Sequence, residues 1–447
     1  MRSKPLDGRA VVYVLLALSL SINAAFVASK LAGYPLEDRI ASKLKSGFER
    51  IRGAEGKSLP PGRWERARDV HGRPSAAEEE LLKSIGYASG TQRAPAKKGV
   101  TIYDPKLAYN GLNLYVSGHA PEAILMDMRG NVLHKWRLEA KRVWSDFKPP
   151  EGNESYHFWR RAYMYPNGDL IAIFDGIGLI KIDRDSNLIW AYDGRAHHDI
   201  FVADDGRIYT LTVEPKLLPE IDATRPVFEE FVVVLDESGR ELKKVSIVKC
   251  LENSDYAPVL KRIRVEGQGD ILHTNTVELL DGRLSHISPA FKKGNVLISI
   301  RYLDLVAVVD LDAERVEWAL TGLWRWQHDP TILENGHMLV FDNLGLKSAS
   351  RVIEIDPFTQ EVYWEYAGTP DAPFFTESCG SNQRLPNGNT LITESEAGRA
   401  FEITPDKRIV WEFYNPHRAG EHDELIATLF DLVRLEPDFP TGWLSAR

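Results

Sequence analysis

Pro166–Trp190 reads PNGDLIAIFDGIGLIKIDRDSNLIW, and its plan returns along the chain. A turn glycine and a polar residue lead into an apolar strand. A short gap and a second apolar strand ending in Asp follow, then a turn and a strand ending in Trp. Lys293–Trp318, Glu334–Trp364 and Pro386–Trp411 repeat this plan, the last with Thr404 in the Asp place. DDGRIYTLTVE followed by FVVVLDESGRELKKVS is a further copy with a longer gap and no Trp, and LNLYVSGHAPEAILMDMRGNVLHKW, ending at Trp136, supplies a sixth. The apolar runs are strand-length, and the breaks carry Gly, Asp, Asn or Pro. One such small antiparallel sheet cannot bury both its faces alone, whereas a radial stack can. The reading is an all-β, six-bladed β-propeller, with the recurrent Trp filling the space between blades. The alternative is a β-sandwich whose turns coincide by chance, and Trp at matched phase in five copies argues against it.

Working outward, the propeller is expected over 99–420, with insertions at 212–230 and 250–290 and a C-terminal extension over 421–447. Residues 31–98 differ in character. PLEDRIASKLKSGFERIRG has helical spacing among many charges, and SLPPGRWERARD and TQRAPAKK are rich in Pro, Gly and Arg. They read as a short helical and linker stalk. Residues 1–30 hold Arg2, Lys4 and Arg9 before an uncharged run from Ala10 to Ser29. That is the pattern of a membrane-spanning anchor or of a signal peptide, with Ala24, Ala25 and Ala28 permitting cleavage. The positive flank puts the N-terminus in the cytoplasm. The expected location is therefore the cytoplasmic membrane, single-pass, with the propeller on the periplasmic or extracellular side.

The formal net charge of −9 argues against nucleic acid as a partner, which needs a basic footprint. The two cysteines, Cys250 and Cys379, match no zinc or CxxC spacing. They are either a pair formed in an oxidising compartment or two separate buried thiols.

The turn glycines serve as a ruler for residues in one phase. His198 lies eight residues before Gly206, and His328 eight before Gly336. Arg160 and Gly380 hold the same offset from Gly168 and Gly388, and His273 lies nine before Gly282. Each opens the strand leading into its sheet, so each belongs near the central channel. A ring of His198, His273, His328 and Arg160 would be a cationic or proton-transferring cluster. The competing readings are a local His–Asp hydrogen-bond device and a metal site. Only Asp199 and Asp329 supply carboxylates at matched phase, and neither a metal nor a cofactor is expected.

The ordered set LHTN, ISIR, QHD and FDN, at residues 272–275, 298–301, 327–329 and 341–343, resembles the bacterial arylsulfotransferases. These are periplasmic or membrane-anchored six-bladed propellers. The resemblance runs from about Gly99 to Pro416 and includes GVTIYDPKLAYNGLNLYVSGHAPEAILMDMRGNVLHKW, HHDI, QRLPNGNTLITES and IVWEFYNP. It implies transfer of a sulfuryl group from an aryl sulfate to a phenol, through a histidine that is transiently sulfurylated. His273 and His328 resemble two of the family's active-site histidines. His198 joins them as a catalytic candidate, with Arg301, Lys347, Asn275, Asn343 and Arg160 as substrate-binding candidates. The chain departs from the family at two places. Lys347, in LGLKSAS, is the nearest cation where the family has an Arg. No His lies between Gln360 and Pro416, where the family's nucleophile is expected; His417 follows in an NPHR context that reads as blade closure, and His198 is a substitute. The alternative function is a non-catalytic propeller that binds a ligand or protein partner. The expected partners are a small aryl sulfate and phenol, with the membrane reached through the N-terminal helix.

Overall fold

A computed structural model describes residues 64–66, 97–146, 155–265, 269–346, 349–419 and 423–445. Six antiparallel sheets, each of at least four strands, form the blades of a propeller. Blade 2 shows the plan, running from an inner strand Ala162–Met164 through Leu170–Phe174 and Gly178–Ile182 to an outer strand Leu188–Tyr192. Blades 3, 4, 5 and 6 begin on inner strands Ala196–Val202, Thr274–Leu279, His328–Ile332 and Ser381–Arg384. The middle strands are buried along their whole length, as in Leu170–Phe174, Val296–Ile300 and Thr390–Glu394. This burial on both faces explains why they read as continuous apolar runs instead of alternating ones.

The ring closes at both chain ends. Gly99–Tyr103 pairs with Ile409–Tyr414 and adds a fifth, outermost strand to blade 6. Leu429–Leu435 pairs with Leu112–Ser117 and becomes the inner strand of blade 1. The expected C-terminal extension therefore contains a propeller strand. The segment LFDLVRL carries neither the turn glycine nor the Trp, so the repeat pattern passed over it. Between these closures Arg418–Ala419, Leu425–Ala427 and Trp64–Arg66 form a separate three-stranded sheet. Trp64–Arg66 thus gives a strand inside the stretch read as a helical stalk; the rest of that stretch up to Ala96 lies outside the described residues. So does the run Ala10–Ser29. Among the described residues no helix is long and apolar enough to cross a membrane.

The expected insertion at 212–230 is mostly a longer hairpin, built from the nine-residue strands Ile208–Lys216 and Val227–Leu235. The stretch 250–290 holds the end of the helix Ile247–Glu252, two 3-10 turns and the start of blade 4. Cys250 and Cys379 are separate thiols, both buried. They sit in different core clusters, Cys250 with Val248 and Leu303, Cys379 with Phe430 and Trp159.

The repeat residues have distinct jobs. The Asp after the third strand of a repeat caps the next turn, as Asp183 Oδ1 does by accepting from the backbone N–H groups of Asp185 and Asn187, both at 2.8 Å; in blade 6 Thr404 Oγ1 takes this part, accepting from Arg408 N–H at 3.1 Å. The turn glycines Gly206 and Gly336 hold φ of +82° and +86°, a conformation that L side chains resist. Four of the five repeat indoles hydrogen-bond to the neighbouring blade. Trp136 Nε1 donates to Gly168 O at 2.9 Å, Trp190 to Glu237 O at 3.0 Å and Trp364 to Pro405 O at 2.9 Å. Trp411 of blade 6 donates to Met128 O of blade 1 at 2.9 Å and so spans the closing seam. Trp318 instead packs edge-on against Phe291, their ring centroids 5.2 Å apart.

Candidate functional site

The inner strands meet at the axis, where one side chain contacts several blades. Arg161 of blade 2 lies 3.0 Å from Asp199 of blade 3, and 3.3 Å from both Asp329 of blade 5 and Asp431 of blade 1. Asp199 also accepts from Val277 N–H of blade 4 at 2.9 Å, and Asp329 from Asn382 N–H of blade 6 at 2.8 Å. Ser381 Oγ donates to Asp431 at 2.7 Å. All six blades are bonded through this one layer. Burial pushes Asp329 up to about 6, against the pull of Arg161. Burial likewise raises Asp199, against the same guanidinium.

One residue earlier in each inner segment lies the ring that the turn-glycine ruler picked out. Arg160, His198 and His328 precede Arg161, Asp199 and Asp329, and Phe430 precedes Asp431. The inner strands of blades 3, 4, 5 and 1 all shift register at this level. His198 and His273 sit at φ of +58° and +54°. Such bulges interrupt the alternation of a strand and re-aim its side chains. The ring positions do converge: the His198 and His273 rings meet edge to face with centroids 4.8 Å apart. Arg160 lies over the Phe430 ring at 5.0 Å.

His328 is the most completely held. Its Nδ1 lies 2.9 Å from Trp326 O and 2.8 Å from Asn343 Oδ1. The Asn343 amide is oriented by donating Nδ2–H bonds to Thr376 O at 2.9 Å and Cys379 O at 2.7 Å. Both neighbours of Nδ1 are therefore acceptors, so Nδ1 carries the hydrogen and Nε2 keeps its lone pair. Burial first, then the nearby Arg301 charge, hold the pKa of His328 well below its ordinary value, so the ring is neutral.

His273 Nδ1 lies 2.5 Å from Asp270 Oδ2. Burial pushes the Asp270 carboxyl up, but His273, His197 and Arg301 together bring it below its ordinary range. This is the carboxylate–imidazole arrangement of an oriented acid/base. Glu230, accepting Thr274 N–H at 2.8 Å, is pushed up to about 8, by burial first and by Asp270 second. His198 Nδ1 lies 2.7 Å from His197 Nδ1. Burial and the surrounding His273, His197 and Arg160 lower the pKa of His198 well below the usual value.

Arg301 sits over the Trp326 ring at 4.0 Å and beside Tyr302 at 5.4 Å. It is 7% exposed, its Nε–H has no hydrogen-bond partner, and among the described residues it makes no ion pair. Arg160 is equally buried and likewise makes no ion pair among the described residues. Among the described residues these two buried guanidiniums make no direct ion pair, while Arg161 next door takes three aspartates.

Among the expected site residues, His198, His273, His328, Arg160 and Arg301 thus come together. Asn343 holds His328 from behind. Asn275 is buried between blades, donating to Gln327 O at 2.8 Å. Lys347 lies outside the described residues. The ruler missed Asp270, three residues before His273, and the aromatic pair Tyr302 and Trp326. The Asp270 signal was present in DILH, a carboxylate one turn before a ring histidine.

The fold is a six-bladed β-propeller with an Arg–Asp network at its axis and histidines and arginines gathered in the adjoining layer. The chain belongs to the arylsulfotransferase (ASST) family, whose model matches residues 161–416, more than half its length. No curated protein matches it. Among solved structures it is similar to a protein of unknown function from Bacteroides caccae, at 10% identity and a TM-score of 0.46, over 72% of this chain and 98% of that one. It is also similar to a streptogramin B lyase, at 12% identity and a TM-score of 0.41, over 75% and 93%. A catalytically inactive virginiamycin B lyase from Staphylococcus aureus with quinupristin is a further likeness, at 8% identity and a TM-score of 0.38, over 75% and 99%. None of these structural likenesses bears on function.

Proposed function

We propose that the protein transfers a sulfuryl group from an aryl sulfate to a phenol, with His328 Nε2 as the nucleophile. The observation that carries this reading is the neutral, Nδ1-protonated His328 beside two buried guanidiniums that make no ion pair among the described residues. An unpaired buried cation is costly, and a sulfate ester supplies the missing anion. Arg301 and Arg160 bind the sulfate oxygens and stabilise the charge that gathers on them. Trp326 and Tyr302, beside Arg301, offer flat faces to the aryl ring.

His328 Nε2 attacks sulfur, the N–S bond forms and the S–O bond to the aryl group breaks. His273, entering the step as the imidazolium with Nδ1–H held by Asp270, gives its Nε2 proton to the departing phenolate and is left neutral. An acceptor phenol then enters, returns its proton to His273 and attacks sulfur, breaking the N–S bond and releasing neutral His328. His198, beside His273, adds donor capacity at the same opening. The family's usual nucleophile position is empty of His in this chain, and the tautomer held by Asn343 supports His328 in that part.

The test is transfer from an aryl sulfate to a phenol by the purified full chain, which His328→Ala should abolish. No transfer across a broad panel of donors and acceptors would overturn the reading. The uncharged run Ala10–Ser29 behind three cations supports placement of the propeller outside the cytoplasmic membrane. Retention of the chain in membranes after carbonate extraction tests that, and a mature N-terminus near Ser29 would show a cleaved signal instead.

A further inference from the structure

A second histidine cluster lies where the ring closes. Glu122 opens the third strand of blade 1, and His119 lies in the loop just before it. His417 follows the last strand of blade 6, on the segment that leads back to the closing strand Leu429–Leu435. One ligand atom from each of these three residues lies within 4.8 Å of the others. His119 Nε2 is 2.8 Å from Glu122 Oε1, and its Nδ1 is 2.5 Å from Ser117 Oγ. The His119 and His417 rings stack with centroids 3.4 Å apart and planes 6° from parallel. Two imidazolium rings would repel at that distance, so the stack requires at least one neutral ring with a lone pair to give.

We infer that His119, Glu122 and His417 form a site for one divalent transition metal ion of the zinc class, clamping blade 1 to the closing segment of blade 6. Two imidazoles and a carboxylate are a donor set that Zn²⁺ accepts, with a water completing the tetrahedron. The metal takes the place of the proton that His119 Nε2 shares with Glu122. That proton moves to Nδ1, where Ser117 Oγ accepts it and fixes the ring, as outer-shell partners of metal-bound histidines do. Ligand atoms around one zinc ion stand roughly 3–3.5 Å apart, so the cluster must contract slightly. Lys135 and Arg137, 3.4 and 3.6 Å from the Glu122 carboxylate, must turn away. Both side chains are about half exposed and can do so into water.

The experiment uses the full chain after dialysis against a chelator, titrated with Co²⁺ as a visible probe and then with Zn²⁺ in competition. The expected result is saturation at one equivalent, displacement by Zn²⁺ and a metal-dependent rise in melting temperature. His119→Ala, His417→Ala and Glu122→Gln should each weaken binding at least 10-fold and remove the melting shift, while His337→Ala should change neither. Glu122→Gln keeps the shape of the side chain and serves if a histidine variant fails to fold. Absence of saturable binding, or binding that survives these substitutions, would overturn the inference.

Discussion

Asn343 Oδ1 lies 2.8 Å from His328 Nδ1, and the same amide is pinned from the other side by the carbonyls of Thr376 and Cys379. A residue that touches no reacting atom thereby decides which nitrogen of the ring carries the hydrogen. Replacing Asn343 with Leu removes an acceptor and a donor from a fully buried position. Transfer should fall roughly 100-fold, the scale of a lost acid/base alignment. Nitrogen chemical shifts of the His328 ring should show a mixture of tautomers where the wild type shows one. Unchanged shifts together with unchanged transfer would remove Asn343 from the account.

The contact between Asp270 and His273 gives a prediction graded by leaving group. Asp270→Asn leaves the imidazole in place but weakens it as a proton donor and acceptor. Transfer from donors with poorly leaving phenols should drop roughly 100-fold, and transfer from activated nitrophenyl donors much less. Comparing the two donor classes measures this, and an equal loss on both would mean that Asp270 acts only on the fold.

Adjacent arginines should separate stability from activity. Arg161 sits among Asp199, Asp329 and Asp431, and removing it leaves buried carboxylates without their cation. Arg161→Met should destabilise the protein by about 3–5 kcal/mol in urea unfolding. Arg160 has no such partners, so Arg160→Met should lower transfer while costing little stability. Equal urea midpoints for the two variants would contradict the layered arrangement.

Glu230 makes stability depend on pH in a stated direction. Its carboxyl is raised in the fold to about 8 from an ordinary 4.5. Between those values the folded state keeps a proton that the unfolded state gives up. The contribution is complete below pH 4.5 and is lost as pH rises through about 8. Glu230→Gln keeps the oxygen that accepts from Thr274 N–H and cannot titrate. Its stability relative to wild type should therefore rise across that window, read from melting temperatures in a pH series. A constant difference would place the titration elsewhere.

The architecture was legible in the sequence because the repeat residues perform local jobs. A glycine at positive φ, an Asp capping its own turn and a Trp bonding to the next blade each leave a mark within a few residues. The ring of Arg160, His198, His273 and His328 was legible for the same reason, since a fixed offset from the turn glycine fixes a depth along the axis. The Arg161–Asp199–Asp329–Asp431 layer was not. Its partners come from four blades, and nothing local distinguishes its aspartates from turn caps. The closing strand Leu429–Leu435 was hidden because it supplies an inner strand without the rest of a repeat. The role of Asn343 needed the positions of two carbonyls brought in from the segment before blade 6.

In the proposed reaction His328 carries the sulfuryl group between donor and acceptor. Peptide mass spectrometry after brief exposure of the full chain to an aryl sulfate, without acceptor and at neutral pH, tests it most directly. The expected result is the mass of one SO₃ on the peptide containing His328, lost when a phenol is added and absent in His328→Ala. An adduct on any other residue, or a burst of released phenol from a chain that carries no adduct, would contradict it.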